Sequence, residues 1–413
     1  MNYSNPAKLA VLACPGGEVF ADEVIVHLKK VYHRGFSNVI TELAKRYDLE
    51  NQAVIRQVNF INDALSPRNF HGKPDHCRLP HFKVPAKFTM FPNGEIKTEI
   101  LESIRGKDLY IVQDVENHFP VNFNGGETKK VLSINDHLLS VFVAVDAAKQ
   151  AGAESVTLVM PVYPYARQHK TKGREGPTAG RIGMILESLG VDRIITLDIH
   201  SREINNAFVK MRLENLHASY QILRELSRMP GILNDEFVVV SPDTGAVDRN
   251  KFFASSLKKP LALLYKERDY SRVSSDALAN NITEIKLLGN VRNKTVFMAD
   301  DILGTGGTLL KAMKFLKEQG AGKVICSVSL PLFSGDAIKF FDDAHKEGLF
   351  YKIIGTNAVY QKDLLKRDWY TSVNITKLFA QTIFRLNKGL SVSSLLDSRD
   401  IIAKLFQEPP ARA

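Results

Sequence analysis

Short β-rich runs alternate with helical patterns along most of this 413-residue chain, and that alternation, more than any single motif, limits what it can fold into. The runs YIVQDV, SVTLVMPVY and RIITLDIH are separated by LLSVFVAVDAAKQAG and PTAGRIGMILESLG, which read as helices. A second series follows: FVVVSPD, a helix over 245–257, LALLYKER, TVFMADD, a helix over 308–319, KVICSVSL, a helix near GDAIKFFDDAHKEG, and YKIIGTNA. Strands joined by crossover helices pair in parallel, so the chain is predicted to be α/β twice over. The two series share a local signature at an offset of 168 residues: Ala151-Gly152-Ala153 before Val156 resembles Gln319-Gly320-Ala321 before Val324. After each strand come an aromatic and a small residue, Tyr165-Ala166 and Phe333-Ser334, a pattern that points to duplication.

Length and composition fit two globular units with ample core, since 44% of residues are hydrophobic and 24% charged. The longest nearly apolar stretch, residues 138–148, contains Asp146 and is too short to span a bilayer, so no membrane association is expected. The first twenty residues hold no apolar run long enough for a secretory signal, which points to the cytoplasm. Cys14, Cys77 and Cys326 are odd in number and far apart, so they read as small buried apolar residues rather than disulfide or zinc partners. The formal net charge is +10. Its lysines and arginines are dispersed, with no basic stripe interleaved with aromatics, which favours phosphate-bearing metabolites over nucleic acid.

Two stretches interrupt the pattern. Between about residues 50 and 86 the composition shifts to Asn, His, Pro and Arg, and residues 116–130 (ENHFPVNFNGGETKK) break a strand–helix junction; both read as irregular surface insertions. His71, His76, Cys77 and His81 lack regular metal-ligand spacing and are assigned no chemistry.

The strongest local signal is VFMADDILGTGGTLLKAMKFL at 296–316. A buried strand delivers Asp300 and Asp301 toward its carboxyl end, where open α/β sheets bind ligands. The turn through Gly304, Thr305, Gly306, Gly307 and Thr308 then opens a helix, whose bare N–H groups and dipole cradle an anion. Paired aspartates suit a ribose diol, directly or through magnesium. No lysine follows the last glycine, so this is not a Walker A loop. The element is similar to the phosphoribosyl pyrophosphate motif shared by type I phosphoribosyltransferases and ribose-phosphate pyrophosphokinases, which leaves two chemistries open. Four further pieces bear on the choice. MPVYPYARQHK presents Arg167 and Gln168 after a strand; RIITLDIHSREI sets Asp198 and His200 two apart at a strand end, so both side chains point the same way; VVVSPDTGAVDR sets Asp243 before a glycine. In LALLYKERDY, Lys266 and Arg268 alternate on one strand face before a polar stretch at 270–281 suited to a lid.

In this order, from about residue 87 to 396, the set resembles the ribose-phosphate pyrophosphokinases. The resemblance implies two similar lobes of the type I phosphoribosyltransferase kind, each a mostly parallel sheet flanked by helices. The first would span 1–222, with the insertions and a returning segment at about 385–413, and the second 223–384. It further implies an ATP site from Phe91, Asn93 and Glu95 of FPNGE with Arg167 and Gln168, and magnesium held by His200 and Asp243. Lys266 and Arg268 would stabilise the transition state, and Asp300, Asp301, Thr305, Gly306, Gly307 and Thr308 would hold ribose 5-phosphate. The implied reaction moves the β,γ-diphosphoryl group of ATP to the anomeric hydroxyl of ribose 5-phosphate, releasing AMP. The implied assembly is a homo-oligomer built from dimers, often a hexamer, with ATP partly at a subunit interface.

The chain departs from that pattern in places. Gly304 stands where a further acid is common, Ala246 replaces the second glycine after PDxG, and His169 stands where an acid commonly follows ARQ. GREGPTAG replaces the stretch tied in many members to phosphate activation and ADP inhibition. A phosphoribosyltransferase would explain the loop but not the rest of the chain; a non-catalytic regulatory homologue would explain the departures but not the retained Lys266, Arg268, His200 and Asp243.

Overall fold

A computed structural model describes residues 8–65, 70, 71, 73, 75, 76, 78–171, 173–233, 236–268 and 282–406. The chain divides into two compact units, Met1–Leu216 with Thr376–Leu396, and His217–Ile375 with Asp397–Ala413. This division falls six residues before the boundary read from the sequence, and the segment that returns to the first unit is Thr376–Leu396 rather than 385–413.

The first unit opens with β1 (Leu9–Ala13), the long helix α1 (Glu18–Tyr47) and α2 (Asn51–Leu65). A ribbon, β2 (Phe70–His71) with β3 (Leu79–Pro80), leads to the antiparallel hairpin β4 (Ala86–Met90) and β5 (Ile96–Ile100). Then come β6 (Asp108–Val112), a second hairpin of β7 (Val121–Phe123) and β8 (Thr128–Lys130), α3 (Ile134–Gln150), β9 (Ser155–Val159), α4 (Thr178–Ser188), β10 (Arg193–Leu197) and β11 (Arg212–Leu216). The central sheet is parallel in the order β1-β6-β9-β10-β11. β6, β9 and β10 are buried at every position after the first, the mark of strands covered on both faces rather than half-solvated ones. Ser133 and Asp136 form a capping box that starts α3: the serine hydroxyl accepts the Asp136 N–H at 3.2 Å and the carboxylate accepts the Ser133 N–H at 3.0 Å.

The second unit contains α5 (Ser219–Ser227), β12 (Phe237–Ser241), α6 (Val247–Leu257), β13 (Leu261–Arg268), β14 (Ile282–Leu288), β15 (Thr295–Leu303), α7 (Gly307–Glu318), β16 (Val324–Pro331), α8 (Ala337–Lys346), β17 (Lys352–Thr356) and β18 (Tyr370–Val373). Its sheet runs β14-β13-β12-β15-β16-β17-β18, parallel except for β14. Consecutive numbering breaks between β12 and β15, a topological switch point at which open sheets bind ligands. Beneath the β15–α7 turn lies an aromatic cluster, with Phe333 and Phe341 edge to face at 5.3 Å and Trp369 5.9 Å from Phe341. After β18 the chain supplies α9 (Thr376–Asn387) and α10 (Ser393–Leu396) to the first unit, then α11 (Arg399–Leu405) to the second.

Both presumed insertions are more ordered than their composition suggests. The first begins with α2, whose Val54 packs with Phe36, Ile40 and Ala44 of α1, and whose buried Asn59 donates to the His76 carbonyl at 2.8 Å. The second is the β7–β8 hairpin, anchored by buried Val121 and Phe123. Cys14 and Cys326 are fully buried, as expected, and burial pushes both thiols up; Cys77 lies outside the described residues. Among the described residues no helix is long and apolar enough to cross a membrane.

Candidate active site

Each unit carries part of the predicted constellation at the carboxyl edge of its sheet. In the first unit the loop after β9 climbs through Tyr165, whose φ of 56° turns the backbone into the left-handed region. Its hydroxyl donates to Asn135 Oδ1, and the Gln168 N–H donates to the Tyr165 carbonyl at 2.8 Å. The Ala179 N–H, at the start of α4, donates to the Gln168 carbonyl at 3.2 Å, so the helix holds the loop that carries exposed Arg167 and Gln168.

The pair Asp198 and His200 differs from expectation. β10 ends at Leu197, and Asp198 has a φ of 42°, which breaks the alternation that would have aimed both side chains together. Asp198 is buried, its N–H donating to the Leu216 carbonyl at 2.8 Å, whereas His200 is exposed. His169 stands edge-on to His200 with ring centroids 5.2 Å apart. Burial, then His200 and Lys170, lower the His169 pKa. Phe91, Asn93 and Glu95 form the exposed turn of the β4–β5 hairpin: Phe91 N–H donates to the Glu95 carbonyl at 2.8 Å, and Asn93 Oδ1 accepts the Glu95 N–H at 3.2 Å. Asn124, in the turn between β7 and β8, braces this hairpin by accepting the Met90 N–H at 3.1 Å.

Glu116 was not singled out by the sequence. It follows β6, and burial pushes its carboxyl up to about 7 against the pull of Arg167; His118 Nε2 lies 3.7 Å from its Oε2.

In the second unit β15 carries Asp300 and Asp301 within its last four residues. Asp300 Oδ1 accepts the Asp301 N–H at 2.8 Å, and Asp301 Oδ1 accepts the Ile302 N–H at 2.8 Å. Burial, reinforced by the Asp301 charge and by Asp243, holds the Asp300 carboxyl well above the usual range. Arg249, on the first turn of α6, reaches Asp301 at 3.8 Å; nothing in its surroundings in the sequence marked it. Asp243 lies between β12 and α6, its Oδ1 accepting the Ala246 N–H at 3.0 Å. Gly306 is the N-cap of α7 with a φ of 76°, and a Cβ there would stand 2.3 Å from Phe341 Cε2, so only glycine lets the turn settle onto the aromatic cluster. The helix starts at Gly307 rather than residue 308, which leaves Thr305, Gly306, Gly307 and Thr308 wrapped around its N-terminus. Lys266 and Arg268 are on β13, paired across to Ile285 and Ile282 of β14; their side chains, and the expected lid at 270–281, lie outside the described residues.

The second unit thus ends a central strand in paired carboxylates before a glycine turn and a helix N-terminus. The model of the N-terminal domain of ribose phosphate pyrophosphokinase matches residues 78–190, and the phosphoribosyl transferase domain matches residues 212–357. Ribose-phosphate pyrophosphokinase 1 of Listeria innocua is 35% identical over 311 residues, covering 75% of this chain and 88% of the relative. Ribose-phosphate pyrophosphokinase A of Dictyostelium discoideum is 33% identical over 308 residues, covering 74% and 87%. The crystal structure of phosphoribosylpyrophosphate synthetase from Mycobacterium smegmatis shares the fold with a TM-score of 0.66 at 24% identity, covering 92% of this chain and 99% of that one. The chain belongs to the ribose-phosphate pyrophosphokinase family.

Proposed function

We propose that this enzyme makes phosphoribosyl pyrophosphate by in-line attack of the anomeric hydroxyl of ribose 5-phosphate on the β-phosphorus of ATP. The O–P bond to the β-phosphorus forms as the bond to the α-phosphate oxygen breaks, the hydroxyl proton is lost, and AMP leaves. The observation that carries this reading is the Asp300–Asp301 pair at the end of β15, opening directly onto the N-terminus of α7 in a chain of this family. The carboxylates suit the ribose hydroxyls and the turn suits the 5-phosphate. Phe91, Asn93, Glu95, Arg167 and Gln168 receive ATP, and Lys266 and Arg268 offset charge that develops on the transferring group.

Magnesium fits the donors present. Asp243 and His200 are hard or borderline ligands, and Asp300 is a carboxyl that a nearby cation would relieve of its repulsion from Asp301. When bound, the ion would offset the negative charge of the nucleotide's phosphates. The protein's part is alignment, holding sugar and nucleotide so that hydroxyl, phosphorus and leaving oxygen are in line. A homo-oligomer built from dimers and a cytoplasmic location complete the reading.

The test is a magnesium-dependent assay with ATP and ribose 5-phosphate that follows AMP and phosphoribosyl pyrophosphate together. Both should appear in equal amounts; neither appearing in a protein that binds phosphoribosyl pyrophosphate would turn the reading to a transferase or a regulatory homologue. Lys266→Ala should raise the barrier to turnover by roughly 3 kcal/mol. An unchanged kcat would remove Lys266 from the catalytic set.

A further inference from the structure

We propose that Asn250 is a positioning residue for ribose 5-phosphate, a side chain used in place of a strand neighbour to hold the Asp300–Asp301 pair at a set distance from the Asp243 turn. The inference rests on the reading of those carboxylates given above. β12 and β15 pair in register from Phe237 and Thr295 as far as Val239 and Phe297. Two residues further along β15, the N–H and C=O of Ala299 face the same side, where β12 is already ending at Ser241 and turning away. Backbone groups left there without partners would be costly, because Ala299 is buried.

Asn250 fills that rung from α6. Its Oδ1 accepts the Ala299 N–H at 2.9 Å, and its Nδ2 donates to the Ala299 carbonyl at 2.8 Å. The same Nδ2 donates to the Ala246 carbonyl at 2.9 Å, and the side chain is fully buried. The Ala246 N–H is the group held by Asp243 Oδ1. One amide therefore grips the residue immediately before Asp300 and the residue that closes the Asp243 turn, across the gap where the sheet splits. Arg249, its neighbour on α6, reaches Asp301 from the same turn of helix. A leucine or alanine at position 250 could fill space but could not bridge the two backbones. A glutamate-length side chain would overshoot a rung measured for asparagine.

The comparison to make is between the full-length parent, Asn250→Ala and Asp301→Asn, with KM for each substrate and kcat measured well below the unfolding midpoint of each variant. A merely structural role would lower the midpoint and leave both KM values alone. Asn250→Ala is expected to raise KM for ribose 5-phosphate roughly tenfold or more while KM for ATP stays within about twofold, because misplacement by a fraction of an ångström falls on the sugar site. Should Asn250→Ala yield no folded protein, Asn250→Ser carries the same comparison; its single hydroxyl restores part of the bridge, and an intermediate KM for the sugar phosphate is expected. Parent-like constants, or an equal rise for both substrates, beside an Asp301→Asn variant that has lost ribose 5-phosphate, would overturn the role of Asn250 and leave the site reading standing. An Asp301→Asn variant with the parent's constants would overturn both.

Discussion

The two units share five parallel strands in matching order, and one loop at the matched strand end sets them apart at the site. Gly152 and Gly320, 168 residues apart, have φ values of 82° and 83°. The Glu154 N–H donates to the Lys107 carbonyl at 2.9 Å, as the Gly322 N–H does to the Lys294 carbonyl at 2.9 Å. Tyr165 and Phe333, each just past the next strand, both turn left-handed. In this frame β6 corresponds to β15, so Gln113 and Asp114 stand where the second unit has Asp300 and Asp301. The second unit then makes a tight glycine turn into α7. The first runs through the β7–β8 hairpin before α3, and buried side chains close the space: Gln113 Nε2 donates to His137 Nδ1 at 2.6 Å, and His137 Nε2 donates to the Asn117 carbonyl at 2.9 Å. Where the second unit has the glycine turn proposed above to seat the sugar phosphate, the first has a packed polar plug. The frame supplies a place where a ligand can bind, and the loop decides whether one does.

Asp300→Asn presses hardest on this contrast. The carboxyl is held above its usual range chiefly by burial, so it loses stability for the fold as pH rises from the unfolded range through its folded one, and a neutral isostere should unfold at higher temperature than the parent at pH 8 but not at pH 4. Activity should fall by roughly 10²–10³-fold. A variant that is both active and no more stable would show that the buried charge serves neither purpose.

Glu116 is a raised carboxyl of the first unit, and it tests whether a buried acid has the same energetic sign away from the Asp300–Asp301 pair. Its folded pKa of about 7 lies above the ordinary 4.5, so the penalty is absent below about pH 4.5, grows between there and about 7, and is constant above. Glu116→Gln should therefore be more stable than the parent by up to about 3 kcal/mol at pH 8, with no gain at pH 4. Urea titrations at the two pH values measure the difference; a gain that does not depend on pH would mean that burial of the charge is not its cause.

Gly306→Ala bears on the turn itself. The added Cβ meets Phe341 at 2.3 Å in a left-handed residue, which is expected to cost about 2 kcal/mol in stability and to weaken ribose 5-phosphate binding more than ATP binding. Calorimetric titration of each ligand would separate the two effects.

Much of this was legible because parallel strands announce themselves as unbroken apolar runs: FVVVS and VICSVSLP are buried at every position, and the acids and glycines that end such runs stand out against them. Less legible was α2, whose inward face carries buried Asn59 and Asn62 beside Val54, so its helical period is hidden by polar residues, of which Asn59 bonds to the following segment. The direction of Asp198 was missed because alternation holds only while the strand lasts, and a single left-handed residue ended it. Asn250 and Arg249 carry no signal at all in sequence; their meaning comes from the gap between β12 and β15, which exists only once the sheet is assembled.

The finest test of the shared frame uses its matched glycines. At Gly152 a Cβ would lie 3.5 Å from Arg105 Cγ, and at Gly320 it would lie 3.2 Å from Arg292 Cγ, in both cases against an arginine stem that is able to move. The remaining cost is the left-handed backbone, about 1 kcal/mol for alanine at either site. Gly152→Ala and Gly320→Ala should thus be destabilised by nearly equal amounts in denaturant titrations, with Gly320→Ala a few tenths of a kcal/mol worse for its closer contact, and the double variant should show their sum because the sites share no partner. If one glycine tolerated alanine freely while the other did not, the likeness of the two units would be one of strand order alone and would not extend to the backbone turns that seat each strand after its helix.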